Sequence, residues 1–312
     1  MMTSGLSNGG NVPGLALDQY RQQIRLDEPY QYEYGSRLSA VERDAVVARL
    51  LDQLIRRECL TDVGKLPAAY ESRRQLLQGL LNIRPPQPLD SAFLDDIDRL
   101  LQDETNRKEI VDSGGLQVVS DVLSARSLKN LDKLVLWKGD ISRLRVDAIV
   151  NAANDQLLGC FQPLHNCIDN VIHTAAGPLL RQDCQSIMDI QRHREQTGDA
   201  KITRAYNLPS RFVLHTVGPI IGNAGVSDLQ RDHLASCYRS CLALADQLPT
   251  IKTLAFPCIS TGVFNFPREM AAEIAILTVE EWLGSNHHHF ERVIFNVYLQ
   301  EDLDGYIQAF QR

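Results

Sequence analysis

The sequence predicts an α/β fold with a mainly parallel sheet, preceded by a helical N-terminal region. In the second half of the chain, short apolar runs alternate with helical patterns, which is the order of elements in a mainly parallel sheet. In the first half, apolar residues recur at helical spacing instead. The 312 residues, 44% of them hydrophobic, can form one large domain or two smaller ones with packed cores.

The helical region begins with a recognisable N-cap pattern. Ser39 and Glu42 have the spacing of a capping box, and the apolar residues that follow fall on one helical face. A second helix is expected over residues 71–82, because the proline-rich stretch 84–88 then breaks the helical pattern. Catalytic residue types are not concentrated here, so we interpret this region as accessory.

The α/β pattern begins after Asn130. Ligands in mainly parallel sheets bind at the carboxyl ends of the strands, so functional residues are expected just after the apolar runs. The expected strands cover residues 134–137, 148–152, 212–217, 254–258 and 293–299, and the expected helices cover residues 168–187, 229–246 and 268–283.

These patterns divide the chain into three expected segments. Residues 1–35 would be a disordered or extended tail, because the first 14 are rich in Gly, Ser and Asn. Residues 36–128 would form the helical region, and residues 129–312 the α/β domain. The start of the tail lacks the basic and apolar stretches of a signal peptide.

The net charge and the cysteine content indicate which classes of protein the chain can belong to. The net charge of −7 argues against broad binding to nucleic-acid phosphates, although backbone N–H groups could still hold one phosphorylated small molecule. The seven cysteines lack the spacing of a disulfide framework, which indicates reduced thiols. No apolar run is long enough to cross a bilayer. We therefore expect a cytoplasmic protein without nucleic-acid or membrane partners.

Three residues between the second strand and the next helix have the spacing of a metal site. Cys160, His165 and Cys167 form a C-x4-H-x-C pattern, and thiolate and imidazole groups are the ligands that Zn²⁺ prefers. Three protein ligands would leave a fourth position open for water or substrate, because His173 is expected to face along the following helix. Two incidental cysteines beside a loop histidine explain the pattern about equally well.

Polar residues follow the other strands too. Asn151 and Asn154 end a buried apolar run, where their amides could bind a ligand hydroxyl or simply form a turn. Asp140 could accept from an adenine amino group or cap a helix. The small-residue loop 260–264 could offer N–H groups to a phosphate or be an ordinary connection.

Together and in this order, these segments resemble the macrodomain family over about residues 131–312. The resemblance implies a three-layer α/β/α fold with a mixed, mainly parallel sheet, and a cleft that binds ADP-ribose. Many members hydrolyse ADP-ribose from modified proteins. The matching segments are K-G-D-I at 138–141, V-N-A-A-N at 150–154, residues 168–178, T-G-D-A at 197–200, Y-N-L-P at 206–209, H-T-V-G-P at 215–219 and S-T-G-V-F at 260–264.

One departure points to a subclass. Common hydrolytic macrodomains have a glycine-rich loop where this chain has residues 160–167. This stretch resembles the zinc-dependent macrodomains of microbial pathogens, which also have a helical N-terminal extension. The resemblance implies Zn²⁺ bound by Cys160, His165 and Cys167, and removal of mono-ADP-ribose from proteins.

The same resemblance implies partners and leaves alternatives open. Some members act beside a sirtuin-like ADP-ribosyltransferase and a lipoylated carrier protein. A non-catalytic module that reads ADP-ribose, or a deacetylase of O-acetyl-ADP-ribose, would use the same pocket residues.

Site roles also follow from the resemblance. Asp140 and Ile141 should hold the adenine side, and Asn151 and Asn154 should approach the distal ribose. Asp169 matches the functional carboxylate of the V-D-G-x-I-H motif, so Asp169 and Asn154 are the expected catalytic residues. Asn170 replaces the glycine of that motif. The residues expected around the diphosphate are Ser260, Thr261, Gly262, Val263 and Phe264, with Phe264 against the distal ribose.

Overall fold

The computed structural model describes residues 14–30, 37–58, 66–123 and 128–312. Within these ranges the helices are α1 (Leu17–Tyr20), α2 (Ala40–Arg57), α3 (Tyr70–Ile83), α4 (Ser91–Arg107), α5 (Val119–Val122), α6 (Ile168–Ala176), α7 (Pro178–Gln191), α8 (Asp228–Asp246), α9 (Arg268–Ser285) and α10 (Gln300–Gln311). The strands are β1 (Val111–Asp112), β2 (Leu134–Lys138), β3 (Leu144–Arg145), β4 (Ala148–Ala153), β5 (Ala200–Arg204), β6 (Phe212–Val217), β7 (Thr253–Phe256) and β8 (Arg292–Val297).

A six-stranded sheet in the order β2-β8-β7-β4-β6-β5 forms the centre of the α/β domain. All neighbours are parallel except β5, which runs antiparallel to β6 at one edge. The short strands β1 and β3 pair separately. The expected mixed, mainly parallel sheet is therefore confirmed.

Alternating side chains of the strands give the sheet two buried faces. Val150 and Leu214 belong to one apolar cluster, with α8, α9 and α10, whereas Ile149 and Val213 belong to the other, with α6. Successive residues of a strand point to opposite faces, so this division gives three layers. Helices cover both faces, as expected for an α/β domain.

The helical region has an apolar core of its own, built by α2, α3 and α4. The Ser39 hydroxyl accepts from the Glu42 N–H, and the Glu42 carboxylate accepts from the Ser39 N–H, which confirms the capping box. The region also packs on the α/β domain, since the Gln102 side chain donates to the Asn207 side chain over 2.9 Å. No helix of the described ranges is both long and apolar enough to span a membrane.

Part of the expected tail is folded, so the prediction for residues 1–35 is wrong over the segment that includes α1. Leu17, Tyr20, Ile24 and Leu26 are buried in the core of the α/β domain. Their apolar spacing is helical, although they follow a stretch rich in Gly, Ser and Asn, which is typical of a disordered tail. Residues 1–13 and 31–35 lie outside the described residues.

Two other expectations need correction. The expected helix over 168–187 is two helices, because Gly177 adopts φ of 91° between α6 and α7. Strand β5 was not expected at all, because it includes the polar residues Lys201 and Thr203. Lys201 is buried with Glu195, and their charged atoms are 2.7 Å apart.

Candidate functional site

Three strand ends and the loops that follow them form the candidate site. Because β2, β4 and β7 run parallel in one sheet, their carboxyl ends lie at the same edge. Asp140 follows β2, Asn154 follows β4, and the loop 260–264 follows β7. The fold therefore brings the separately identified segments to one side of the domain.

Asp169 lies in the first turn of α6 and is buried against two amides. Asn151 Nδ2 donates to Asp169 Oδ1 over 2.8 Å, and Asn154 Nδ2 is 3.4 Å from Asp169 Oδ2. Burial raises the pKa of Asp169 to about 6, while the Asn151 hydrogen bond and the charge of Arg181 act in the opposite direction. The two amides thus fix the orientation of a carboxyl group whose charge is costly to bury.

The two asparagines are not equivalent. Asn151 Oδ1 is buried and has no hydrogen-bond partner among the described residues, so a ligand hydroxyl could satisfy it. Asn154 Oδ1 instead accepts from Gln156 N over 3.0 Å, and its Nδ2 donates to the Gly159 carbonyl over 2.8 Å. Asn154 therefore forms a turn and also lies beside Asp169.

The expected metal ligands come together. The donor atoms of Cys160, His165 and Cys167 lie within 4.8 Å of one another, and Cys160 Sγ is 3.7 Å from His165 Nδ1. A tetrahedral zinc ion needs sulfur and nitrogen donors roughly 3.5 Å apart, so the soft donor set and its spacing fit Zn²⁺. The residues are half-buried, which leaves the loop accessible from one side.

Cys167 has a second role as the N-cap of α6. Its Sγ accepts from Asn170 N over 3.4 Å. Burial raises the pKa of Cys167 to about 12, so the thiol is protonated until a cation displaces the proton. Asn170 also donates from its Nδ2 to the His165 carbonyl over 2.9 Å, a contact that the glycine of the family motif could not make.

On the adenine side, Asp140 caps a short 3₁₀ turn formed by Ile141–Arg143. Asp140 Oδ1 accepts from the Ser142 N–H and hydroxyl over 2.9 and 2.7 Å, which is the capping role the sequence left open. Asp140 Oδ2 lies 3.5 Å from Lys108 Nζ in the helical region. Ile141 is buried beneath this turn.

The loop after β7 is held by its own backbone and by the loop after β6. Phe266 N donates to the Ser260 carbonyl over 2.9 Å, and Ile221 N donates to the Phe264 carbonyl over 2.9 Å. Ser260 has φ of 65°, and its hydroxyl is buried without a partner in the described part of the chain. The half-buried Phe264 and exposed Val263 complete a loop that could close around a ligand.

A buried histidine behind the site was missed by the sequence reasoning. His215 on β6 lies opposite Asn151 on β4, and Asn151 Nδ2 is 3.2 Å from His215 Nδ1. Burial lowers the pKa of His215 to about 3, so the ring is neutral. His215 stands in the H-T-V-G-P segment, but its contact with Asn151 depends on the register of two neighbouring strands, which the segment alone does not show.

His173, Cys184 and His215 form a second buried group whose donor atoms are within 4.8 Å of one another. His215 Nε2 is already 3.0 Å from Thr203 Oγ1, so this ring is hydrogen-bonded at both nitrogens. His173 lies apart from the Cys160, His165 and Cys167 group and faces along α6, where its Nε2 is 3.5 Å from Asp169 Oδ1, one turn earlier in the helix.

Comparisons with known proteins agree with this geometry. The family model described as "Macro domain" matches residues 150–275. A Staphylococcus aureus protein named protein-ADP-ribose hydrolase is 44% identical over 263 residues, which cover 84% of this chain and 94% of that protein. A Treponema medium protein of the same name is 45% identical over 253 residues, 81% of this chain and 93% of the relative.

The chain belongs to the macro domain family. A solved Trypanosoma brucei macrodomain in complex with ADP-ribose has a TM-score of 0.56 and 29% identity, over 72% of this chain and 91% of that one. The helical region is thus an extension ahead of a macro domain, and the Cys160–Cys167 loop lies within the part that the family model matches.

Proposed function

We propose that this macro domain protein is a zinc-dependent hydrolase that removes mono-ADP-ribose from modified proteins. The observation that carries the proposal is that the Cys160, His165 and Cys167 donors come together at the start of α6, where Asp169 and its two amides follow in the first turn. The names of the two bacterial relatives and the ligand of the trypanosome structure support the substrate class.

The reaction breaks the bond between the anomeric carbon of the distal ribose and a protein side chain. Positive charge develops on the ribose ring while negative charge develops on the leaving group, so preorganised polar groups supply most of the stabilisation. Asp169 is oriented by Asn151 and Asn154, so it can orient a water molecule and accept its proton. The orphaned Asn151 Oδ1 would accept from a ribose hydroxyl.

Cys160, His165 and Cys167 would hold zinc, which when bound would polarise a coordinated oxygen and help to position the ribose. The loop 260–264 would enclose the diphosphate, with Phe264 against the distal ribose. Asp140 Oδ2 would face the adenine, with the buried Ile141 beside it. Together these residues would fix the ADP-ribose moiety while Asp169 acts at its reactive end.

The first test pairs metal content with turnover. Wild type should contain one zinc per chain and hydrolyse a mono-ADP-ribosylated protein, whereas Cys167→Ala should lose both. Cys241→Ala is the matched control, because this buried thiol lies in α8. Full activity of metal-free wild type would contradict zinc dependence.

The second test separates catalysis from binding. Asp169→Asn keeps an acceptor for Asn151, so the variant should retain zinc and ADP-ribose binding but lose at least about 100-fold in kcat, in keeping with a general base. Asp155→Asn, a change at a more exposed carboxylate paired with Arg194, should leave kcat unchanged. Tight ADP-ribose binding by wild type without turnover of modified protein or O-acetyl-ADP-ribose would identify a reader module instead.

We also propose a cytoplasmic location, since Cys160 and Cys167 must stay reduced to bind a metal. A sirtuin-like ADP-ribosyltransferase acting on a lipoylated carrier protein would supply the modified substrate. Faster hydrolysis of a modified lipoylated carrier than of the same carrier without lipoate would support this pairing, and equal rates would refute it.

A further inference from the structure

The loop that carries the metal donors has little internal support. Phe161 and Leu164 both adopt positive φ, 51° and 57°, which side chains other than glycine rarely adopt. Within the loop backbone, His165 N donates to the Gln162 carbonyl over a long 3.3 Å. Such a conformation persists only where neighbouring structure holds it.

Asn82, near the end of α3 in the helical region, supplies such a hold. It is 2% exposed, and its Oδ1 accepts from Leu164 N over 3.0 Å. Leu164 immediately precedes the donor His165. The same Oδ1 accepts from Asn170 Nδ2 over 3.3 Å, and Asn82 Nδ2 donates to Thr174 Oγ1 over 2.9 Å.

Asn170 extends this contact to two of the metal donors. Its Nδ2 donates to the His165 carbonyl over 2.9 Å, and its backbone N donates to Cys167 Sγ over 3.4 Å. The acceptor oxygen of Asn82 therefore lies between the residue before His165 and the residue that contacts both His165 and Cys167. Removal of this oxygen would leave both Leu164 N and Asn170 Nδ2 without their hydrogen bond to Asn82.

Arg181 of α7 fixes Asn82 itself. Its guanidinium donates to the carbonyls of Leu81, Asn82 and Arg84 over 3.0, 3.0 and 2.6 Å, and so satisfies carbonyls at the end of α3. The same guanidinium lies 4.6 Å from the ring centroid of Phe161 in the loop. We call residues 160–167 the metal loop. The buried Arg181 thus contacts both the end of α3 and the metal loop.

We infer that Asn82 is a positioning residue of the metal loop, so that the helical region completes the metal site of the macro domain. This inference rests on the proposed zinc site and extends it to a residue outside the family match. Groups that orient metal ligands typically change metal affinity by about 10 to 100-fold when removed, which sets the expected scale.

The experiment compares Asn82→Ala, Asn82→Asp and Thr174→Val in the full chain. Zinc affinity is measured by competition with a chromophoric chelator, and the donor geometry by the absorption spectrum of the cobalt-loaded protein. Asn82→Ala should weaken zinc binding at least about 10-fold and alter the cobalt spectrum. Asn82→Asp keeps the acceptor oxygen and should restore most of the affinity.

Thr174→Val is the matched control, because it removes the third hydrogen bond of Asn82 without touching the loop. It should leave zinc affinity and the cobalt spectrum unchanged. If Asn82→Ala does not fold, Asn170→Ala removes the contact with Asn82 from the α6 side, together with the hydrogen bond to the His165 carbonyl, and should also weaken zinc binding.

The inference would be overturned if Asn82→Ala kept the zinc affinity and the cobalt spectrum of wild type. It would also be overturned if Thr174→Val lost as much zinc affinity as Asn82→Ala. Wild type that binds no zinc at this loop would overturn both the inference and the proposed function. Wild type that binds zinc tightly without hydrolysing modified protein would refute the proposed function alone, because the metal measurements do not depend on turnover.

Discussion

At the residue scale, one amide joins two buried ionisable groups. Asn151 Nδ2 contacts both Asp169 Oδ1 and His215 Nδ1, at 2.8 and 3.2 Å. Since the amide is the donor, Nδ1 accepts and the proton lies on Nε2, which donates to Thr203 Oγ1 over 3.0 Å. The neutral form of His215 therefore holds Asn151, and through it Asp169, in one orientation.

The burial of a neutral His215 ring makes stability depend on pH. His215 has a pKa of about 3 in the fold, but an unfolded chain takes up the proton near 6.5. The unfolded state therefore binds more protons between these values, so the contribution of His215 to stability is lost as the pH falls below 6.5. At pH 5 this single group should cost about 2 kcal/mol relative to pH 7.

Urea unfolding of wild type and His215→Gln at pH 7 and pH 5 measures this effect. Lowering the pH should reduce the free energy of unfolding of wild type by about 2 kcal/mol more than that of the variant. The other ionisable groups are common to both proteins, so their effects cancel in the difference. An equal pH dependence in the two proteins would show that His215 is not held neutral.

Gly218 provides a second prediction at this scale. A Cβ at this position would lie 2.0 Å from Ser260 Oγ and 2.9 Å from Ile259 Cγ2. Gly218→Ala must therefore displace the side chains of Ser260 and Ile259 at the start of the loop 260–264, and should weaken ADP-ribose binding at least 10-fold, about 1.4 kcal/mol. Gly222→Ala makes the same chemical change where nothing lies within 4 Å. Calorimetric titration that gives equal affinities for the two variants would contradict this role.

At the element scale, the connection from β4 to α6 both carries the proposed metal donors and leads into a helix. Cys167 is the N-cap, and Asp169 follows in the first turn, where a carboxylate interacts favourably with the helix dipole. Serine at the N-cap can accept the same backbone hydrogen bond, whereas alanine cannot, at a cost of about 1 kcal/mol. Substitutions of Cys167 can therefore separate capping from metal binding.

In excess chelator, Cys167→Ser should be at least as stable as metal-free wild type, and Cys167→Ala should be about 1 kcal/mol less stable. Added zinc should stabilise wild type and neither variant. Urea unfolding with and without zinc tests both statements. Equal stability of the serine and alanine variants in chelator would exclude a capping role for residue 167.

Local sequence patterns predicted most helices and strands of the α/β domain, because the apolar runs in these elements coincide with buried residues. The expected strand over 212–217 coincides with β6. Strand β5 was not predicted, because a lysine does not indicate a buried strand. Lys201 is nevertheless buried, since it forms an ion pair with Glu195 that exists only in the folded chain. The three candidate metal donors were predicted from their spacing within eight residues. The contacts of Asn82 and His215 at the site depend on tertiary packing and strand register, which local spacing does not show.

At the scale of the whole molecule, both N-terminal parts of the chain pack against the macro domain. The helical region contacts the loop of the proposed metal donors through Asn82. The segment that includes α1 contacts the β5 edge of the sheet, where Tyr20 packs in the core and its hydroxyl accepts from Ile202 N over 3.0 Å. Ile202 belongs to β5, an edge strand whose outward N–H groups would otherwise be exposed.

The Tyr20 hydroxyl should therefore stabilise the whole domain. Tyr20→Phe keeps the buried ring but leaves the Ile202 N–H without its acceptor, which should lower the free energy of unfolding by about 1 to 3 kcal/mol. Tyr298→Phe is the matched control, because Tyr298 is 71% exposed and should change stability by less than about 0.5 kcal/mol. Amide exchange at Ile202 should accelerate in the first variant only. If the two variants unfold at the same urea concentration, the N-terminal segment covers the edge of the sheet without stabilising it through this bond.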